Sequence, residues 1–352
     1  MRLTGMILPA TCAVFCGVAV AHDARPAPAA FGNPTREQAI AAVVQRLLLL
    51  QNVTASFKMV RHDIITPQLI AFEKKTMPWL HKVYPNVHFG KRSSMPQTRS
   101  YLCKFRFLHG RVYYARDIPA AAKGPSEELP TAQIQAVTPA RAEHLTFPAK
   151  ADFGLVQVTG AIENRGGPLD SLLISSALGL RPLSHHGWMW LDAALFKKMK
   201  FVDLGNGSFS LTQIRRDGVQ YQWTFALAPS IKLVGVRESW TLPGRPNSVL
   251  ATVRSSNFHR VAGLLLPARV VETQFSGRRF LPGPLRHITL THIKYKLGSK
   301  LNTPKSYFIL FPKGSVVIDE RIGAVFHITK PTVLSDKEIF KRLKKRDGAK
   351  AR

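Results

Sequence analysis

Residues 217–227 read DGVQYQWTFAL, and the alternation within them decides the fold class. Val219, Tyr221, Trp223, Phe225 and Leu227 fall at every second position, with Gln220, Gln222 and Thr224 between them. A period of two, apolar on one side and polar on the other, marks a half-buried antiparallel strand. Three large aromatics on one side of one strand need a broad apolar partner. That partner is ordinary core, a bound lipid or another protein.

The same alternation runs outward in both directions. FSLTQIRR precedes the stretch; IKLVGVRESWTL, SVLATVRSS, GLLLPARVVETQF, HITLTHIKYKL, SYFILF, SVVIDE and AVFHIT follow it. Turn signals separate them: Arg216-Asp217-Gly218, Pro243-Gly244, Pro312-Lys313-Gly314 and Ile322-Gly323. Such short spacings predict antiparallel meanders rather than parallel βαβ units. Nearer the N-terminus, VTASFKMVR (53–61) sets Val53, Ala55, Phe57 and Met59 against Lys58. YLCKFRFLHGRVYYAR (101–116) reads as a hairpin turning at His109-Gly110, with Tyr101, Cys103, Phe105 and Phe107 opposite Lys104 and Arg106. Residues 118–150, rich in Ala and Pro, read as an irregular insertion. No repeat at a fixed period is present.

Helical spacing interrupts the strands twice. NPTREQAIAAVVQRLLLLQN opens with Pro34 and a Thr35-x-x-Gln38 capping box, after which Ile40, Val43, Val44, Leu47 and Leu48 share a face. In 166–201, Leu191, Ala194, Leu195 and Met199 keep the same spacing; we read two helices there, lying across a sheet already begun.

The two ends bear on compartment and surface. MRLTGMILPATCAVFCGVAVAHD has a basic Arg2, an apolar stretch too short to span a membrane comfortably, and small residues at Ala19-Val20-Ala21. It reads as a signal peptide (1–21) cleaved after Ala21, followed by a Pro/Ala linker to residue 32. Cys12 and Cys16 leave with such a signal, so Cys103 stands alone and no internal disulfide forms. The formal charge of +29 attracts phosphate, whether of nucleic acid or of anionic lipid. Residues 336–352 hold eight Lys or Arg against three acids. This basic tail is either a frayed solvated end or a contact with an anionic membrane surface through Lys341, Arg342, Lys344, Lys345 and Arg346.

An N-terminal amphipathic helix, strands, a helical interruption and a long antiparallel meander together resemble the LolA/LolB-like family of periplasmic lipoprotein carriers, the outer-membrane lipoprotein-sorting-like proteins. The stretches that carry the resemblance are AIAAVVQRLLLLQNVTASFKMVR, KFRFLHGRVYYAR and NFHRVAGLLLPARVVETQF (257–275), and it spans most of 35–329. It implies a mainly β fold: one strongly curved antiparallel sheet over 33–335, an unclosed barrel, with helices plugging its concave face. This chain is longer and more basic than the family's carriers and bears the 118–150 insertion. Two smaller β-rich domains meeting near residue 165 are the alternative architecture.

Motifs for catalysis are missing: no G-x-S-x-G, P-loop, G-x-G-x-x-G or H-E-x-x-H occurs, and the acids are scattered without an acid/base spacing. His185-His186 is adjacent in sequence, so its side chains diverge on a helix or strand. His22 would head the mature chain, where an amine and imidazole suit copper, but that site needs a second His placed by the fold. Cys103 lies on the apolar side of its strand and reads as an inert buried thiol. Neither a metal nor another cofactor is expected. Nucleic acid is disfavoured because Phe105 and Phe107 face away from Lys104 and Arg106, whereas a binding groove needs aromatics and cations together.

The expected function is a non-enzymatic periplasmic or cell-envelope carrier of an apolar ligand, lipid or lipoprotein acyl chains. Its binding cavity would be lined by Phe57, Met59, Phe105, Phe107, Tyr221, Trp223 and Phe225 and partly covered by the 168–200 helices. A secreted scaffold whose concave face is plain core is the alternative; an enzyme acting on envelope polymers is the third. Oligomeric state is not legible in the sequence.

Overall fold

A computed structural model describes residues 33–83, 97–117, 132–138, 141–147, 158–163, 172–181, 191–227, 230–240, 248–275, 283–300 and 302–350. The expected signal, the linker, His22 and His185-His186 lie outside these residues. All described residues belong to one compact unit, Phe31–Arg352.

Helix α1 (Arg36–Leu49) starts where the capping box places it: the Gln38 N–H donates to the Thr35 hydroxyl and the Thr35 N–H to the Gln38 side chain. It buries Ala39, Ile40, Val43, Arg46 and Leu47. Strand β1 (Asn52–Asp63) follows and pairs on one side with β2 (Gln97–Leu108) and on the other with β13 (Pro284–Leu297). Between β1 and β2 runs α2 (Pro67–Val83), a helix not among the expected elements. The hairpin predicted at 101–116 is β2 and β3 (Arg111–Asp117), turning at His109 with φ 44° and Gly110 with φ 80°.

The stretch expected to be irregular contains β4 (Ala132–Val137) and β5 (Ala142–Phe147), followed by β6 (Thr159–Glu163). AQIQAV and AEHLTF are short and low in aromatics, and their strand character comes from pairing with β3 and with each other. Two helices do fall within 166–201, as α3 (Leu172–Leu178) and α4 (Ala193–Lys198). The meander then runs through β7 (Lys200–Gly205), β8 (Ser208–Ile214), β9 (Val219–Ala226), β10 (Lys232–Trp240), β11 (Ser248–Val261), β12 (Leu264–Phe275) and β13.

These strands form one large, curved, open sheet of fifteen strands rather than two domains, in the order β16-β15-β6-β5-β4-β3-β2-β1-β13-β12-β11-β10-β9-β8-β7. Its last members, β15 (Val316–Asp319) and β16 (Ala324–His327), join through a parallel pairing of β15 with β6. SYFILF, expected as a strand, is a 3-10 turn at Pro304–Tyr307 followed by the two-residue β14 (Leu310–Phe311), which pairs with β17 (Thr332–Val333). Pro304 fixes the turn because it supplies a helical φ and no N–H. Helix α5 (Asp336–Lys350) occupies the basic tail and buries Ile339.

Two cores result, on opposite faces of the sheet. The inner one gathers alternate residues of β1–β3 and β8–β13 with α1, α3 and α4. The outer one packs Ile309, Phe311, Leu334 and Ile339 of the C-terminal segment onto Ala136, Leu145 and Ile162 of β4–β6. The outer face of β1, β2 and β9–β13 belongs to neither cluster.

Candidate functional site

All seven side chains expected to line the binding face lie in the inner core: Phe57, Met59, Phe105, Phe107, Tyr221, Trp223 and Phe225. Register explains why they share a face. Ala55 pairs with Phe105 and Phe57 with Cys103 across β1 and β2, while Tyr221 and Trp223 stand opposite Gln213 and Leu211 of β8. A bulge in β13 at His292, whose φ is 53°, shifts the register opposite Phe57, where it bends the sheet locally. Phe225 stacks on Phe209 at 5.3 Å between ring centroids, and Trp223 meets Phe196 of α4 edge-on at 6.3 Å.

Helix α3 closes this face over β10–β12. Residues 173–181 are buried throughout, Ser175 and Ser176 included, so α3 is a plug within the sheet rather than a cover on it. Arg46 of α1, 3% exposed, donates from Nη1 to the Leu178 carbonyl at the end of α3. Burial pushes its guanidinium down to about 10, partly opposed by the Tyr295 phenol. Arg46 Nε and Nη2 and Trp223 Nε1 find no hydrogen-bond partner among the described residues.

No family model and no curated protein matches the chain. Solved structures similar to it include a putative outer membrane lipoprotein-sorting protein domain from Vibrio parahaemolyticus, with a TM-score of 0.39 and 14% identity over 77% of this chain and 98% of that one. A DUF1329 family protein from Desulfovibrio piger gives 0.40 and 9% over 76% and 96%. A LolA superfamily protein from Nitrosomonas europaea gives 0.35 and 12% over 76% and 98%. The architecture implied by the sequence resemblance, an open curved sheet with helices on its inner face, is the one the strand order and the inner core display.

The inner face turns polar toward one end. Asp63 sits between Arg286 at 2.5 Å and Arg61 at 3.1 Å; burial works against its charge, yet the two guanidinium groups hold its carboxyl below the usual value. Glu238 pairs across the sheet with Tyr221, and Glu272 with Val253, the partner of Val236 beside Glu238. Burial first, and the neighbouring Glu272 second, push Glu238 up to about 7. Burial also raises Glu272, against a hydrogen bond of 3.0 Å from Gln274. Sequence reasoning missed this group, although Glu238 and Glu272 alternate in phase with Val236 and Val270.

Cys103 is 2% exposed, its thiol pushed up to about 12 by burial, as expected of an inert thiol. Of the tail cations, Arg342 pairs with Glu338 at 2.9 Å, while Lys341 and Lys344 are exposed. The side chains of Lys345 and Arg346 lie outside the described residues. No group of metal-ligating side chains is found among the described residues, and no helix there is long and apolar enough to cross a membrane.

Proposed function

We propose that the protein is a non-enzymatic carrier or binder of acyl chains, of a lipid or a lipoprotein, in the cell envelope, with α3 as the displaceable occupant of its own binding face. The observation that supports this reading is the plug: a seven-residue helix, buried at every position from Leu173 to Leu178, set on an apolar sheet face and tethered by a buried arginine. So short a helix has no stability of its own and holds its shape through packing. An acyl chain replacing it regains about 0.8 kcal/mol per buried CH₂. The proposed lining is Phe57, Met59, Phe105, Phe107, Tyr221, Trp223 and Phe225. Arg46 and the Trp223 indole would donate to ester or amide carbonyls at the acylated end. Export rests on the N-terminal segment, with His22 as first mature residue, and the tail cations Lys341, Arg342, Lys344, Lys345 and Arg346 are a secondary contact with an anionic membrane.

One observation favours the scaffold reading instead: Phe57 at 5%, Met59 at 4% and Trp223 at 0% exposure are buried as core residues are. Binding of a fluorescent apolar probe separates the two. A carrier binds it saturably and releases it to a fatty acid or lipopeptide, and Trp223→Ala alters the affinity with the fold retained. Absence of saturable binding, with a stability loss of about 3–5 kcal/mol in the variant, makes the face plain core.

A further inference from the structure

Carboxylates are confined to one face of the central strands. In β1, β2 and β9–β13 the carboxylates are Asp63, Glu238 and Glu272, and register places all three on the inner face. Lys58, Arg237, Arg254 and Arg269 stand on the outer face of the same strands, opposite in phase. That face belongs to neither core; the C-terminal segment packs on β4–β6 and touches this face at Ser299 and Asn302.

Within this face the cations are densest in one groove of about 500 Å³. Thr54 of β1 lies between Arg106 of β2 and Lys296 of β13, and Ser56 lies between Lys104 and Lys294. Four cations therefore frame two hydroxyls. From strand spacing and rise, the frame measures about 10 Å across β1 and about 7 Å along it. Arg106 is held in place by its stack on the Tyr113 ring, at 4.8 Å. No carboxylate pairs with any of the four among the described residues. Like charges on neighbouring strands destabilise a sheet, so an arrangement that leaves four of them around hydroxyl donors fits an anion with several oxygens.

We propose that the outer face docks on the phosphate headgroups of an anionic membrane through this groove. The argument for a membrane rather than another polyanion lies beside the groove on the same face. Leu102 of β2, 54% exposed, stands in phase with Lys104 and Arg106 and opposite Lys58, so an exposed leucine accompanies the cations. Apolar side chains beside Lys and Arg suit a headgroup boundary. The two aromatic residues of the groove lining, Phe105 and Tyr295, are buried in the inner core and offer no open ring face for bases to stack on. The inference lies on the opposite face from the acyl-chain site and holds whether or not that site takes a guest.

The experiment is co-flotation of the full chain with vesicles of phosphatidylcholine, with and without phosphatidylglycerol. Three variants are compared: Lys104→Gln/Arg106→Gln/Lys294→Gln/Lys296→Gln, Ser56→Glu, and a tail variant of equal charge change, Lys341→Gln/Arg342→Gln/Lys344→Gln/Lys345→Gln. The groove variant is expected to lose about tenfold or more in binding to the anionic vesicles, and the tail variant about twofold. Ser56→Glu places one carboxylate inside the frame on an exposed position and carries the test if the fourfold variant does not fold. Equal losses in the groove and tail variants, unchanged binding in Ser56→Glu, or equal binding to neutral vesicles overturns the proposal. So does duplex DNA displacing the chain more effectively than competing anionic vesicles, an outcome that assigns the face to nucleic acid.

Discussion

The inner core and the outer core are built from the same kinds of side chain on opposite faces of one sheet, yet they are closed differently. On the outer face, the β14–β17 pair and α5 cover β4–β6, β15 and β16 extend the sheet beside β6, and ion pairs tie the layer down: Arg141 contacts Glu143 and Asp336, and Arg321 binds Asp319 at 2.8 Å and Asp336 at 3.0 Å. On the inner face, the closure over β10–β12 is α3, with α4 over Trp223 and two arginines reaching from α1, Arg46 to the Leu178 carbonyl of α3 and Arg36 to the Lys197 carbonyl of α4. Helices of six and seven residues make no ladder with the sheet, so side-chain packing holds them. On the proposed function, the difference separates a core built to stay shut from one whose helices would give way to a guest.

Side-chain truncation tests that contrast most strongly. Phe311→Ala, in the outer core, should cost about 3–5 kcal/mol in denaturant unfolding. Trp223→Ala should cost less, about 2 kcal/mol, because short helices can settle into the space. Equal losses would erase the distinction. Gly160→Ala sharpens it: a Cβ there would meet Phe311 Cε1 at 2.7 Å, and the ladder leaves little room to shift, so a loss of about 1–3 kcal/mol is expected.

Proton linkage probes the polar end of the inner face. Glu238 is raised to about 7, above its ordinary value of 4.5. Its contribution to stability is therefore full below the unfolded value and is lost as pH rises through the folded one. Unfolding free energy should fall between about pH 4.5 and 7, by on the order of 3 kcal/mol, and Glu238→Gln should flatten that slope. A slope unchanged in the variant would assign it to other groups. Smallest of all is the bare outer face: Arg254→Gln should change stability by less than about 0.5 kcal/mol, since the side chain is exposed and unburdened by packing.

Much of the candidate site was legible because strand alternation is local. Phe57, Phe105 and Trp223 could be assigned to one side of their strands from period alone, and all prove buried in one cluster. The capping box at Thr35 was legible for the same reason. β4 and β5 were not, because their residues alternate weakly and become strands by pairing with β3. Arg46 gave no signal, since an arginine one position before Leu47 on an amphipathic helix reads as solvent-facing until α3 is laid against it.

The sequence by itself determined the antiparallel meander, the amphipathic first helix and the separation of aromatics from cations along each strand. These follow from side-chain period and turn residues, which act between neighbours in the chain. Tertiary structure alone decided that α3 fills the sheet's hollow, that the C-terminal segment returns to cover β4–β6, and that Lys104, Arg106, Lys294 and Lys296 frame one groove. Those outcomes join residues nearly two hundred positions apart, as Lys104 and Lys294 are. Register across β1 brings them together, and register is set by the burial of a whole face.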